Sequence, residues 1–341
     1  MEPMPADTNR RYVLKTRPSN LPNASHFTIM NAPIPTPETG ELLVRILLVA
    51  LSPWQGQRLK DFENYTEPFQ LGELIDCDVL GQVVAGSSSC FSIGDLVTGR
   101  LGWQEYAIAK PAGLMAATND FDETLWLTAL SSPGLTAYCA LEMFGRPMPG
   151  ETLVVTSAAG SVGSYAVQLG KLAGMKVVGI AGGSEKCNIV IDCLGADACL
   201  DHQEDDLAAR LRETCPEGIH LFFDTVGGSV ADAVFEGLAK FAQVLIVGRT
   251  VSNNSTRPDL DPVNMRMLWA REASIQCFSR YSYPERWGFA RERMATLCRE
   301  GKIIAIDNVV SGFEQTPSAL HDMLAGKYTG KVMVRYGDAA K

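Results

Sequence analysis

Residues Thr152–Lys186 read TLVVTSAAGSVGSYAVQLGKLAGMKVVGIAGGSEK. The run Thr152–Thr156 is apolar, as expected of a parallel strand buried on both faces. Small residues follow from Ser157 to Gly160. In the next segment Val162, Ala166, Leu169 and Leu172 recur at helical spacing. A second buried run, Lys176–Ala181, completes a β-α-β unit. In the turn, Ala158, Gly160 and Gly163, with Ser161 and Val162 between the glycines, form an A-x-G-x-x-G variant of the dinucleotide fingerprint. Small residues here permit the tight turn, close approach of backbone to a diphosphate, and close helix–strand packing. The helix N-terminus adds N–H groups and positive dipole character where a diphosphate sits. A glycine turn can also serve packing alone. The strand before it, the helix after it and the second strand on schedule favour nucleotide binding.

The end of the second strand selects between nucleotides. A carboxylate there would take the ribose 2′-hydroxyl of NAD. This chain has Gly182-Gly183-Ser184-Glu185-Lys186 instead. The glycines leave room for a phosphate, and Ser184 and Lys186 offer a hydroxyl and a cation. The expected cofactor is therefore NADPH. The bland alternative is that Lys186 is a solvated helix residue beside Glu185.

The chain has 341 residues, 46% hydrophobic and 20% charged, with a formal net charge of −9. That length accommodates two domains with their own cores. The acidic balance argues against nucleic acid as a partner. No apolar run approaches a membrane span, and MEPMPADTNRR at the start has no apolar signal segment. The nine cysteines are scattered, with no C-x-x-C pair. They read as free thiols in a reducing cytoplasm.

Residues 1–130 read as a β-rich, barrel-like domain, with strands at Tyr12–Lys15, Glu41–Leu51 and Val79–Val84, a turn at Gly94–Val97, and an alternating run Trp103–Ala109. Glu123–Leu130 reads as helical, and Ser132–Tyr138 enters a helix through Pro133-Gly134. Beyond the fingerprint, strands at Ala198–Leu200, Leu221–Asp224, Ala242–Val247 and Ile275–Phe278 alternate with helices at Glu185–Cys193, Glu204–Thr214, Ser229–Leu238 and Pro284–Glu300. This is the pattern of an α/β, doubly wound parallel sheet over 131–303. The tail, Ile304–Val309, Thr316–Ala325 and Lys331–Arg335, is expected to return (304–341) to the first domain. The active site is then expected at the carboxyl ends of the parallel strands.

An ordered series of motifs runs along the chain: NRRYVLKTRP, GWQEY at Gly102–Tyr106, PGLTAY at Pro133–Tyr138, SAAGSVG at Ser157–Gly163, AGGSEKC at Ala181–Cys187, LGADACLDH at Leu194–His202, FDTVGG at Phe223–Gly228 and GKYTGKVMVR at Gly326–Arg335. By these the chain resembles the zinc-independent medium-chain dehydrogenases/reductases. Within them it is most similar to the leukotriene B4 dehydrogenase / prostaglandin reductase / alkenal double-bond reductase group, with the bacterial NADPH-dependent curcumin reductases nearest. The resemblance implies a GroES-like barrel beside a Rossmann domain, NADPH, a homodimer, and hydride transfer to the β-carbon of an α,β-unsaturated ketone or aldehyde. It places Lys186 at the 2′-phosphate and His202 near the adenosine phosphate. The further cofactor contacts implied are Gly183, Ser184, Thr225, Gly248, Phe278 and Tyr328.

Zinc is not expected. The early loop reads Ser52-Pro53-Trp54-Gln55-Gly56-Gln57, and Cys90 alone falls in the region where the zinc-dependent branch has a four-cysteine lobe.

Several positions depart from the family pattern. Pro53-Trp54-Gln55-Gly56 stands for P-Y-M-R, and Asn253 stands at the tyrosine of an I-S-x-Y-N-like loop. Thr225 and Tyr328 each replace an asparagine, and Ser132 a methionine. Asn253 can donate to an oxyanion but cannot serve as an acid. Tyr281 is the compensating catalytic candidate. Trp54, Trp103, Tyr106 and Ser132 are expected in the substrate pocket. Two alternatives remain beside an enone reductase: a specialised oxidoreductase of a quinone, imine or other unusual substrate, and an NADPH-binding protein with little turnover.

Overall fold

The computed structural model describes residues 8–61, 66–250 and 264–339. The chain divides into two compact units, one of the residues up to Leu127 together with those from Asp307 on, the other Thr128–Ile306.

The first unit opens with an antiparallel pair, β1 (Thr8–Leu14) and β2 (Phe27–Pro33). Next come β3 (Leu42–Ala50), the short helix α1 (Pro53–Arg58), β4 (Asp78–Gly86), β5 (Leu96–Arg100), β6 (Tyr106–Ala109) and β7 (Leu114–Ala117). Of Glu123–Leu130, expected as helix, only Glu123–Leu127 winds, as a 3-10 turn. Ser131, Ser132 and Pro133 follow closely, and so short a segment cannot nucleate an α-helix on its own.

The second unit begins with α2 (Ser132–Ala140) and proceeds through β8 (Thr152–Thr156), α3 (Gly163–Leu172), β9 (Lys176–Ala181), α4 (Ser184–Asp192), β10 (Ala198–Asp201), α5 (Leu207–Thr214), β11 (Ile219–Asp224), α6 (Gly228–Glu236), β12 (Leu238–Ile246), α7 (Met265–Ala270), β13 (Ser274–Cys277) and α8 (Trp287–Arg299). Its strands are parallel, in the order β10-β9-β8-β11-β12-β13. Counted within the unit this is 3-2-1-4-5-6, the dinucleotide-fold order, which reverses between β8 and β11.

Both faces of this sheet are covered. Val154, Val178, Phe222 and Val244 share one core with Leu211 of α5 and Val234 of α6. Their neighbours Leu153 and Val177 point the other way, as pleating requires. There they abut Gly170 of α3, where an added Cβ would lie 2.4 Å from Leu153.

The expected apolar stripe on α3 is corrected here. Leu172 is 45% exposed, whereas Ser164, Tyr165, Val167 and Gln168 are buried. α2 packs on the outer side of α3, so the helix is buried nearly all round.

The chain returns to the first unit with β14 (Asp307–Ser311), α9 (Thr316–Leu324) and β15 (Lys331–Arg335). The strand expected at Ile304–Val309 starts later because Ile304 is held elsewhere. Gln168 of α3 accepts from the Ile304 N–H at 2.9 Å and donates to its carbonyl at 3.1 Å. β15 lies between β14, parallel, and β3, antiparallel, in a sheet ordered β14-β15-β3-β4-β5-β7. β6 joins along Leu42–Arg45 of β3. The fold class is therefore the expected one: a doubly wound parallel sheet, and a mixed β unit drawn from both ends of the described chain. The first unit's core includes Leu14, Phe27, Phe69, Trp103, Phe313 and Val334.

Candidate active site

The six parallel strands end at Thr156, Ala181, Asp201, Asp224, Ile246 and Cys277. The candidates of the second unit lie just beyond those ends: Ala158–Gly163, Gly183–Lys186, His202, Thr225, Gly248, and Phe278 with Tyr281. Parallel pairing puts all of them on one edge of the sheet.

The fingerprint turn is close-packed. An added Cβ at Gly163 would sit 2.2 Å from the Ser157 carbonyl oxygen, and one at Gly160 would sit 2.5 Å from the Ser157 hydroxyl. Ala158 is fully buried and donates its N–H to Ile180 at 3.0 Å. The N–H groups of Ser161, Val162 and Gly163 lie at the N-terminal end of α3, ahead of the first i→i−4 bond from Ser164. Three such donors at the start of a ten-residue helix make a cradle for a diphosphate. A nicotinamide dinucleotide fits the residues present.

The second turn brings Gly182 and His202 together. Gly183, at φ +90°, precedes α4. Ser184 is exposed and Lys186 half-buried. Burial lowers the Lys186 ammonium below the ordinary lysine value, with Glu185 opposing. His202 Nε2 lies 3.0 Å from where a Gly182 Cβ would be, and Gln203 Nε2 lies at 3.2 Å. Asp201, absent from the sequence reading, binds this turn. Its carboxylate is held below the usual range first by the Gly183 N–H, then by the Gln203 N–H.

The switch point between β8 and β11 is tied by side chains. Thr156 Oγ1 donates to Asp224 at 2.8 Å and accepts from the Thr225 N–H at 2.8 Å. Thr225 Oγ1 donates to the Thr156 carbonyl at 3.2 Å. The Thr225 hydroxyl is therefore engaged within the sheet. Asp224 also accepts from the Val226 and Gly227 N–H groups. Burial raises its carboxyl above the ordinary aspartate value, against these hydrogen bonds. Gly248 closes onto this corner, its N–H donating to the Asp224 carbonyl at 3.2 Å.

Beyond β13 the structure brings Ser132 and Tyr281 together through a residue the sequence reading missed, Arg280. Its Nε donates to Ser132 Oγ at 3.0 Å and its Nη2 to Tyr281 Oη at 3.4 Å. Tyr281 is 42% exposed, whereas Phe278 is buried, stacked on Tyr283 and tilted against Phe144. The Phe278 ring is thus a packing group, and its N–H donates to the Ile246 carbonyl.

The remaining candidates belong to the first unit. Ser52 precedes α1, and its N–H donates to Gln55 Oε1 at 2.8 Å. Lys331 Nζ donates to Ser52 Oγ at 2.7 Å. Trp54 is half-buried, with Arg100 4.7 Å and Arg58 5.8 Å from its ring centre. Burial raises the Asp76 carboxyl although Arg100 and Arg58 flank it. Trp103 is fully buried between Tyr12 and Phe27 and takes a core position, not an open wall. Tyr106 lies on β6, and Tyr328 packs against the core of the first unit. Asn253 lies outside the described residues. Among the described residues no group of three or more His, Cys, Asp or Glu is placed to hold a metal.

A family model described as the N-terminal domain of oxidoreductase matches residues 10–117, and one described as zinc-binding dehydrogenase matches 161–296. The chain is 35% identical to the NADPH-dependent curcumin reductase of Escherichia coli, over 96% of each chain. The chain belongs to the medium-chain dehydrogenase/reductase family. Within this family it is also 29% identical to the NADP(+)-dependent 2-alkenal reductase of Nicotiana tabacum, over 96% of this chain and 97% of that one. Its fold matches that of CurA from Vibrio vulnificus in complex with NADPH, with a TM-score of 0.91 and 35% identity over 96% of this chain and 99% of that one.

Proposed function

We propose that this medium-chain reductase transfers hydride from NADPH to the β-carbon of conjugated C=C bonds in α,β-unsaturated ketones and aldehydes. The observation that carries the reading is the arrangement of turns along the carboxyl edge of the parallel sheet. The fingerprint turn and the Gly182–Lys186 turn with His202 lie side by side there, in a chain 35% identical throughout to an NADPH-dependent curcumin reductase. The N–H groups of Ser161–Gly163 would hold the diphosphate. Ser184, Lys186 and His202 would hold the 2′-phosphate. The bound nicotinamide supplies the hydride. The chain must then orient the acceptor, stabilise the negative oxygen that develops, and let a proton reach the α-carbon. Tyr281, with its exposed phenol, is the proposed proton donor, and Asn253 a donor to the oxygen. Trp54, Tyr106 and Ser132 are the proposed pocket residues, and Tyr328 a proposed cofactor contact.

The reading includes a homodimer in a reducing cytoplasm. All nine cysteines are free thiols, and no helix among the described residues is long and apolar enough to cross a membrane. β13 is an edge strand, flanked by exposed Trp269, Ile275 and Phe241 and by a surface cleft lined by Leu268, Trp269 and Ala273. That cleft lies beside the start of β13, away from the carboxyl edge, so it is assigned to assembly and not to catalysis.

The deciding experiment is NADPH consumption by the purified protein with a panel of enones, enals and quinones, with mass analysis of products. A product carrying two added hydrogens at the C=C bond is the expected result. NADPH oxidation by quinones alone, or binding without turnover, would overturn the reading.

A further inference from the structure

Arg280 is 8% exposed, yet no carboxylate pairs with it among the described residues. Its guanidinium carbon lies 4.4 Å from the centre of the Tyr281 ring and 4.6 Å from that of Trp287. Trp287 Nε1 donates to the Arg280 carbonyl at 2.9 Å, which fixes the backbone beneath it. Two of the five guanidinium N–H donors are used, on the neutral oxygens of Ser132 and Tyr281. Nη1 has no hydrogen bond among the described residues and is not one of the enclosed polar atoms left without a partner. It therefore opens to solvent from an otherwise buried group.

A buried cation without a counter-charge is costly, and an arginine fork suits a planar anion. Neighbouring charges among the described residues do not meet the need. Glu142 is taken by Arg286 at 2.8 and 2.9 Å. Arg291, whose Nε donates to the Leu130 carbonyl at 3.0 Å, adds a second cation. The cofactor's phosphates do not meet it either. They belong beyond β8, β9 and β10, whereas Arg280 follows β13, three strands from β8. At ~4.8 Å per strand that is about 14 Å across the sheet. The position of Arg280 on the carboxyl edge, bonded to a candidate pocket residue and to the candidate proton donor, points to the acceptor molecule as the source of the anion.

We propose that Arg280, held by Ser132 and braced by Tyr281 and Trp287, receives a carboxylate carried by the substrate, so that the enzyme's acceptors are conjugated ketones or aldehydes bearing an acid group. This inference rests on the reductase reading, and one experiment separates the two. An aliphatic methyl enone with a terminal carboxylate is compared with its methyl ester, by steady-state reduction and by calorimetric binding to the protein–NADPH complex.

The wild-type protein is expected to favour the acid in kcat/KM by about tenfold or more, the scale of a charge-assisted hydrogen bond. Arg280→Met is expected to bring the acid-to-ester ratio to about one, mainly through KM, and Arg280→Lys to retain part of it. A wild-type ratio of one overturns the proposal even where the variant does not fold. An Arg280→Met protein that loses kcat equally on both compounds with the ratio intact also overturns it. Reduction of acid and ester alike would leave the reductase standing and Arg280 without this role. Tighter binding of the acid without reduction of either would sustain the role of Arg280 and remove the reductase reading.

Discussion

Lys186 is the residue proposed to carry the choice of nucleotide. Its ammonium is half-buried at the start of α4, and burial lowers its pKa, so an anion beside it would favour the charged form. Lys186→Ala should weaken NADPH binding about tenfold while leaving NADH binding nearly unchanged, measured by fluorescence titration of both nucleotides. Lys186 was legible because phosphate chemistry demands a cation after a glycine pair at a fixed offset. His202 was legible only through the family motif, and the structure explains the placement by the missing Cβ of Gly182. Arg280 was not legible. It sits one residue before the tyrosine that drew attention, and a lone arginine among aromatics has no spacing that announces burial. Trp54 and Trp103 could not be told apart by residue type. Pairing of the segment around Trp103 with β1 turns that ring into the core, whereas Trp54 stays half-buried among arginines.

Elements were legible wherever a strand is buried on both faces, because continuous apolar runs leave little choice. Helix limits were less so, since they depend on caps. α5 begins at Leu207 instead of Glu204, because Asp206 takes φ +50° and accepts from the Ala209 N–H at 3.0 Å. The link between α3 and β9 yields a pH test. Lys171 Nζ lies 2.8 Å from both oxygens of Asp197, which also accepts from the Val177 N–H at 2.7 Å. Burial raises the Asp197 carboxyl, but the Lys171 hydrogen bond and the Val177 N–H leave it below the ordinary value of 3.8. A depressed carboxylate stabilises the fold above its unfolded pKa and loses that contribution as pH falls through the folded one. Asp197→Asn should therefore cost about 0.2–1 kcal/mol at pH 7, a range set by the exposure of the pair. The gap from wild type in urea unfolding should close as the pH drops below 3.8. A constant gap across that range would assign the loss to packing.

At the scale of the molecule, the net charge of −9 and the edge strand β13 bear on assembly. A parallel edge that no further strand covers among the described residues, with Trp269 82% exposed and Ile275 beside it, invites pairing with another chain. A homodimer is expected by light scattering, and Ile275→Lys should shift it to monomer with NADPH binding intact. Unchanged mass in that variant would move the interface elsewhere. The doubly wound sheet was legible from alternating strands and helices, and the return of the tail was expected from the elements that follow the last helix of that pattern. Ile304 shows why its boundary could not be read: a glutamine side chain 136 positions earlier holds it. The position of β15 between β14 and β3 has a further consequence, for synthesis. A ribosome delivers the whole of Thr128–Ile306 before it makes Lys331–Arg335. The later-encoded half can therefore finish folding first, while Leu48–Ala50 of β3 wait without their partner until the last strand emerges. The nascent chain is thus most exposed to aggregation near the end of translation, and in the segment it made first.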